Sequence, residues 1–151
     1  MRLCVHYRQL NKLTIANKYP LPLMTVLRDR VAGANIFTKL DLKHGYLLLR
    51  IQERDVWKTD FRTRYGHYDY KVMPFGLVNA PATFQAMMNT ILRDFLDHGV
   101  VVYLDDILIY SENEEEHIPL VKKVLAQLEE YDLAVSTTKS VFHVTEEEFL
   151  G

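Results

Sequence analysis

The segment from Val100 to Tyr110 constrains the fold of this chain more than any other, because two β-forming apolar runs flank a pair of adjacent carboxylates. Val, Ile and Tyr favour strands and Asp favours tight turns, so the segment predicts a β-hairpin with Asp105 and Asp106 at its tip. Two acids can form a plain polar turn. Against that reading, the turn lacks the Gly or Asn that tolerates a positive φ. Two like charges at the end of a buried hairpin repel unless a cation lies between them, and hard divalent cations bind carboxylate oxygens.

The composition is that of one ordinary globular domain. The chain has 151 residues, 48% hydrophobic and 25% charged, and its net charge of −2 does not indicate nucleic-acid binding by itself. Bases nevertheless outnumber acids between Arg2 and Lys71. A single cysteine, Cys4, excludes an intrachain disulfide and is typical of a reducing compartment. No apolar run approaches the roughly 20 residues of a membrane span, so no membrane partner is expected, and nothing in the sequence specifies a localisation.

Hydrophobic periodicity predicts a mixture of helices and strands. The clearest helix begins at Asn79-Ala80-Pro81, with Asn79 as its cap, and stops at Gly99. Another helix, at about Glu114–Tyr131, has Ser111 or Asn113 as its cap. Weaker signals predict strands at Met1–Arg8, Asn35–Leu42, Ala134–Ser136 and Val141–Val144, a helix at Leu23–Val31, and a hairpin over Lys58–Met73 that turns at Tyr65-Gly66. We therefore expect an α+β fold, an antiparallel sheet with helices packed on one face.

A third acid belongs to the same expectation. Asp41 lies near the end of the strand at Asn35–Leu42, and the sheet could set it beside Asp105 and Asp106. Three carboxylates on separate strands suit a two-metal site, in which ions about 3.5–4 Å apart activate a hydroxyl and stabilise a leaving group. The alternative for Asp41 is a solvated acid at the end of a strand.

An ordered series of motifs covers the chain from end to end. The segments are Val5–Lys12 (VHYRQLNK), Tyr19–Pro22 (YPLP), Phe37–Tyr46 (FTKLDLKHGY), Phe61–Tyr68 (FRTRYGHY), Val72–Gln85 (VMPFGLVNAPATFQ) and Val102–Ser111 (VYLDDILIYS). The series resembles the reverse transcriptase domain of LTR retrotransposons of the gypsy class, with retroviral enzymes as more distant relatives. A lone YxDD would be a weak signal, whereas the whole series in register is specific.

The resemblance implies the palm and fingers of a right-handed polymerase. Asp41, Asp105 and Asp106 match the catalytic aspartates that bind two Mg²⁺ (or Mn²⁺) ions.

Five further positions match substrate contacts of the family. Arg2 matches a base on the triphosphate. Tyr46 matches an aromatic beneath the incoming sugar, which rejects a 2′-hydroxyl by clash. Phe75 and Gly76 match a loop against the nucleotide and the template base, and Tyr103 matches an aromatic near the primer end.

The implied function is that of an RNA-directed DNA polymerase, which joins dNTPs to a primer 3′-hydroxyl on an RNA or DNA template. We expect one reverse transcriptase domain over 1–151, with fingers at about 1–34 and 52–78 and palm at about 35–51 and 79–151. The thumb, connection and RNase H segments of a Pol polyprotein are not matched, and without the thumb the grip on nucleic acid should weaken. The alternative is an inactive or co-opted retroelement fragment that only binds. The unmatched thumb and the departures from the family pattern near the site, such as His44 close to Asp41, favour that alternative; His6 departs from the pattern in the fingers.

Overall fold

The computed structural model describes residues 5–147 and 149. The chain divides into two compact units, one formed by Met1–Tyr19 with His44–Phe84 and the other by Pro20–Lys43 with Gln85–Gly151. In chain order the elements are α1 (Arg8–Leu13), α2 (Met24–Val31), β1 (Ile36–Asp41), β2 (Phe61–Thr63), β3 (Gly66–Tyr68), α3 (Ala80–Ile91), β4 (Val100–Tyr103), β5 (Asp106–Ser111), α4 (Glu114–Glu130) and β6 (Val141–Val144). Within the described residues, no helix has both the length and the apolar character needed to cross a bilayer.

The second unit is built on a four-stranded sheet. Its strand order is β4-β5-β1-β6. Every pairing is antiparallel, which confirms the expected α+β class. Because β4 and β6 are the edge strands, β1 and β5 form the centre of the sheet.

Both faces of this sheet are covered along its apolar length. On one face Val101 and Leu108 are buried together with Leu27 of α2. On the other face α4 packs against β5 and β1, and buries Val124 and Leu128. Full burial of Val, Ile and Leu side chains is the main stabilising contribution to such a core.

The predicted α4 begins and ends close to its expected bounds. Asn113 is the N-cap, and its side chain accepts a hydrogen bond from the Glu116 amide at 3.0 Å. Three glutamates occupy the first turn, where negative charge suits the helix dipole.

Helix α3 is shorter than expected. It ends at Ile91 rather than at Gly99. A chain of turns follows, in which Phe95 donates to the Leu92 carbonyl and Asp97 has a positive φ of 66°. The apolar residues at helical spacing in this segment lie in turns. Burial of an apolar side chain lowers the free energy whatever the backbone conformation, so the spacing alone does not establish a helix.

Three other local expectations were wrong. The opening segment is not a strand in its described part, since Arg8–Leu13 form α1. The hairpin expected over 58–73 is confined to β2 and β3, with Arg64 and Tyr65 at its tip, and a 3-10 helix (Glu53–Thr59) precedes it. The segment 134–136 makes only an isolated bridge, between Val135 and Leu42.

Candidate active site

The hairpin of the second unit turns one residue earlier than predicted. Tyr103 and Asp106 are paired, so the two loop residues are Leu104 and Asp105, and Asp106 is the first residue of β5. Of the two loop residues only Leu104 has a positive φ, 56°, as a type II′ loop requires at its first position. That conformation costs a non-glycine residue roughly 1–2 kcal/mol. Because the loop has no Gly, Leu104 adopts the strained conformation in its place. The expectation that both aspartates form the tip was wrong, since only Asp105 is in the loop.

The register of the central strands places Asp41 directly opposite Asp106. Directly opposed residues of an antiparallel pair have Cα atoms about 4.5–5.5 Å apart and point to the same face. Asp105 precedes Asp106 in the loop. The structure thus brings the three predicted acids to one end of the sheet, as the sequence led us to expect.

The electrostatics of this cluster are those of crowded carboxylates. The pKa of Asp106 is raised, first because burial disfavours its charged form and then because of the nearby negative charges of Asp105 and Asp41. Lys39 and Lys139 act in the opposite direction. Any additional cation close to Asp106 would stabilise its charged form and lower its pKa.

Lys139 is a base that the sequence alone did not associate with the site. Its Nζ lies 3.3 Å and 3.4 Å from the two carboxylate oxygens of Asp41. The Lys139 side chain is 68% exposed and that of Asp41 is 19% exposed. This ion pair is therefore accessible to water, and its contribution to stability is small.

The loop that carries Lys139 also fixes the backbone of Asp41. The Asp41 amide donates to Ser140 Oγ at 3.0 Å, and the Ser136 amide donates to the Asp41 carbonyl at 2.8 Å. About a hundred residues separate the partners in sequence, and no local pattern signals the contact.

The donor set suits a hard divalent cation in its chemistry, since all three groups are carboxylates. In the arrangement seen here, however, no group of three or more His, Cys, Asp or Glu side chains among the described residues is close enough to hold a metal ion. Asp41 is instead paired with Lys139. Metal binding at this cluster therefore requires side-chain rotation at the least.

Tyr103 lies beside the acids on the sheet. It is opposite Asp106 in the hairpin, and its half-buried ring packs against the cluster of Leu27, Val101 and Leu108. Lys39, two residues before Asp41 and so on the same face, is bonded to Glu147 at 3.0 Å. Asp41 and Asp106 therefore lie on the same face of the sheet as the apolar cluster of Leu27, Val101 and Leu108, and directly beside it.

Three of the other predicted substrate residues lie in the first unit. The rings of Tyr46 and Phe75 meet edge to face at 5.1 Å, and Tyr46 meets Phe84 in the same way at 5.3 Å. Gly76 has a φ of 96°, and its carbonyl accepts a hydrogen bond from Asn11 Nδ2 at 2.7 Å. Asn11 also accepts from the Val78 amide, so α1 and the loop at 75–78 are tied together.

The structure provides less information about the function of the remaining positions that the sequence singled out. Arg2 lies outside the described residues. His6 and His44 are both exposed, and His44 has a positive φ of 71°. Asn79 precedes α3, and its side chain bonds to the Ile15 carbonyl and to the Asn17 amide.

Comparison with known proteins then decides the family. The profile of the family described as reverse transcriptase (RNA-dependent DNA polymerase) matches residues 1–151. This chain belongs to the reverse transcriptase family.

Curated relatives agree with that assignment. The RNA-directed DNA polymerase homolog of Oenothera berteroana is 52% identical over 127 residues, which are 82% of this chain and 89% of that protein. The transposon Tf2-3 polyprotein of Schizosaccharomyces pombe is 44% identical over 151 residues, all of this chain but 11% of the polyprotein. This chain therefore spans about a tenth of the length of such polyproteins.

Solved structures give the same fold. The foamy viral protease-reverse transcriptase in complex with an RNA/DNA hybrid matches with a TM-score of 0.92 at 27% identity, over 99% of this chain and 20% of that one. The same viral protein in complex with dsDNA matches with a TM-score of 0.85. The expected palm and fingers fold of a reverse transcriptase is confirmed.

Proposed function

We propose that this chain forms the catalytic palm and part of the fingers of an RNA-directed DNA polymerase from a gypsy-class retrotransposon Pol polyprotein. It would transfer a deoxynucleotide from a dNTP to the 3′-hydroxyl of a primer paired with an RNA or DNA template. The observation that supports this best is the cross-strand pairing of Asp41 with Asp106, next to Asp105 in the loop.

Asp41, Asp105 and Asp106 would hold two divalent cations, Mg²⁺ or Mn²⁺. When bound, such ions lower the pKa of the attacking hydroxyl and neutralise charge on the leaving pyrophosphate. The chain itself supplies the rest of the chemistry by position. Strands β1 and β5 fix the spacing of Asp41 and Asp106, and the Lys139 ammonium, now paired with Asp41, would have to move for a cation to bind that carboxylate.

Residues outside the acid cluster would select and orient the substrates. The Tyr46 ring, whose orientation is restricted by Phe75 and Phe84, would reject a 2′-hydroxyl on the incoming sugar by clash. Phe75 and Gly76 would line the path of the nucleotide and the template base. Tyr103 would support the primer end, and Arg2 would bind the triphosphate.

The domain boundaries follow from this assignment. We propose fingers at about 1–34 and 52–78 and palm at about 35–51 and 79–151. The two compact units differ from this division, since 20–34 belongs to the unit with most of the palm, and 44–51 and 79–84 belong to the other unit. Thumb and RNase H segments of the same polyprotein would be its partners on the nucleic acid.

The test is primer extension on an RNA template with a DNA primer, at high protein concentration and low salt. The wild-type chain should extend the primer with Mg²⁺ or Mn²⁺, and Asp105→Asn should reduce the rate by at least about 100-fold, because two-metal chemistry depends on each carboxylate. Glu112→Gln, which replaces an exposed acid just beyond the opposite end of β5, is the matched control and should extend normally. Equal extension by wild type and Asp105→Asn would refute the assignment.

A second candidate is a catalytically inactive retroelement fragment that acts only as a folded binding module. Two observations favour it: the described carboxylates do not converge as metal ligands, and Lys139 pairs with Asp41. Under this alternative neither protein extends the primer, and Asp105→Asn leaves the affinity for Mn²⁺ unchanged in a titration.

A further inference from the structure

Gln85 is a fully buried polar residue whose role neither the sequence nor the metal chemistry explains. It lies in α3 with 0% of its surface exposed. Helix interiors that face a core normally carry apolar side chains, and a buried amide is tolerated only when its hydrogen bonds are made. The partners of Gln85 therefore indicate what the residue does.

All of its described partners outside α3 belong to the hairpin that carries Asp105 and Asp106. Gln85 Oε1 accepts from the Leu104 amide at 2.8 Å, and Nε2 donates to the Val102 carbonyl at 3.2 Å. A further bond joins Nε2 to Asn89 Oδ1 at 2.9 Å, one turn along the same helix. That third bond fixes the amide in the orientation that the hairpin needs.

The geometry has a simple reason. Strand β4 is at the edge of the sheet, so one row of its backbone groups has no strand partner. The Val102 carbonyl belongs to this row, and the Leu104 amide follows β4 as the first amide of the loop. A primary amide offers one donor and one acceptor side by side, so Gln85 occupies the place that a neighbouring strand would take.

The bond to Leu104 falls at the strained point of the loop. Leu104 has a φ of 56° although it is not glycine. Such conformations persist only where the surroundings fix them. Asp105 follows directly, and Asp106 begins the next strand, so the position of both carboxylates depends on this loop.

We propose that Gln85 is a positioning residue for the carboxylate cluster: its side-chain amide holds the Leu104–Asp105 loop in its strained conformation and thereby sets the spacing of Asp105 and Asp106 for metal binding. The part that concerns metal depends on the proposed function. The part that concerns the loop does not.

The experiment uses the full chain and two measurements. The first is amide hydrogen exchange at Leu104 and Asp105, followed by NMR without metal. The second is Mn²⁺ affinity by titration. Gln85→Met, which keeps the length of the side chain and removes its hydrogen bonds, should accelerate exchange at the loop selectively and weaken Mn²⁺ binding roughly tenfold, as loss of an outer-shell partner does.

Two further variants separate positioning from general stability. Leu104→Gly in the Gln85→Met background should recover most of the Mn²⁺ affinity, because glycine adopts the loop conformation without strain. Val124→Ala removes buried surface in α4, which packs against β5 and β1, and leaves the described hydrogen bonds of the Leu104–Asp105 loop in place, so it is the stability control. If Gln85→Met does not fold, Gln85→Glu takes its place: it keeps an acceptor for Leu104, loses the donor to Val102, and should also accelerate exchange.

The outcomes are distinct. Unchanged exchange at Leu104 and Asp105 in Gln85→Met, or a loss of Mn²⁺ affinity no larger than that of Val124→Ala, would overturn the positioning role. If Asp105→Asn binds Mn²⁺ as well as wild type, the metal assignment of the proposed function fails instead. Selective exchange at the loop would then still support Gln85 as its clamp, and unselective exchange would overturn it.

Discussion

Buried polar residues of the second unit are paired in ways that make them sensitive to single substitutions. His117 of α4 is 1% exposed, and each of its ring nitrogens has a partner. Nε2 lies 2.8 Å from Thr38 Oγ1 and Nδ1 lies 2.9 Å from Ser111 Oγ. The imidazole thus links α4 to both central strands of the sheet.

The protonation of His117 should make stability depend on pH. Its pKa is lowered, first because burial disfavours the charged ring and then because His143 lies close to it; His143 in turn faces Glu114. For a base with a lowered folded-state pKa, the unfolded chain binds the proton more readily, so the free energy of unfolding falls as pH drops below about 6.5, the unfolded value.

We therefore expect urea unfolding at pH 7 and pH 5 to show a smaller loss of stability in His117→Gln than in wild type. His98→Gln, which replaces an exposed histidine, is the control and should keep the wild-type slope. A wild-type slope in His117→Gln would show that the buried histidine is not the titrating group.

At the scale of elements, the turn between α3 and β4 is a point where backbone and packing both demand glycine. Gly99 has a φ of 89°, and a Cβ there would lie 2.5 Å from Leu120 Cδ2 and 3.0 Å from the Tyr110 carbonyl oxygen. Gly33 has a φ of 90°, but a Cβ there would meet nothing within 4 Å. The two positions share the conformational requirement and differ in the space available.

This difference predicts unequal costs of substitution. Gly33→Ala should lower the free energy of unfolding by about 1–2 kcal/mol, through backbone strain alone. Gly99→Ala should lose about 1–3 kcal/mol more, because the Leu120 side chain must change its conformation and the Tyr110 carbonyl of β5 must move slightly to admit the methyl group. Chemical denaturation of both variants measures the difference, and equal losses would contradict the packing argument.

The elements themselves were predicted unevenly. Helix α4 carries a cap, acidic first turn and apolar stripe in its own sequence, so its bounds were nearly right. The sequence predicts a strand at Met1–Arg8, but Arg8–Leu13 form α1, whose Asn11 side chain bonds to the loop near Gly76. Such contacts between distant segments override weak local preference, and a sequence pattern does not contain them.

At the scale of the whole molecule, the crowded acids predict a link between metal binding and stability. A ligand that binds only the folded state at 100 times its dissociation constant stabilises a protein by about 2.7 kcal/mol. For a chain of this size, each kcal/mol raises the unfolding midpoint by about 2–4 °C. Saturating Mn²⁺ should therefore raise the midpoint by several degrees.

Thermal unfolding followed by circular dichroism measures this effect. NaCl at the same ionic strength controls for screening, and Asp105→Asn removes one ligand and should reduce the shift. A shift of equal size in Asp105→Asn would place the stabilising ion elsewhere on the molecule.

The exposed apolar surface also belongs to this scale. The sequence leads us to expect uncovered side chains at Leu23, Leu77, Leu133 and the segment near Phe149. Leu23 is indeed 69% exposed, and Leu77 is partly exposed. Leu133, however, is only 7% exposed, and Phe149 packs against the cluster around Leu108. The expectation was wrong for Leu133 and Phe149 because it was based on the position of these residues in the chain and not on their neighbours in space.

The sequence by itself determined the antiparallel α+β class, a hairpin at 100–110 with two aspartates at its turn, a third acid near the end of another strand, and the motif series that indicates a reverse transcriptase. These features depend on the local conformational preferences of neighbouring residues and on the order of the motifs, both of which the sequence contains. Only the tertiary structure decided that the loop residues are Leu104 and Asp105, that Asp41 is opposite Asp106, and that Lys139 and Gln85 contact the site. Strand register and loop strain depend on contacts between distant segments, whose free energies no single stretch of sequence contains.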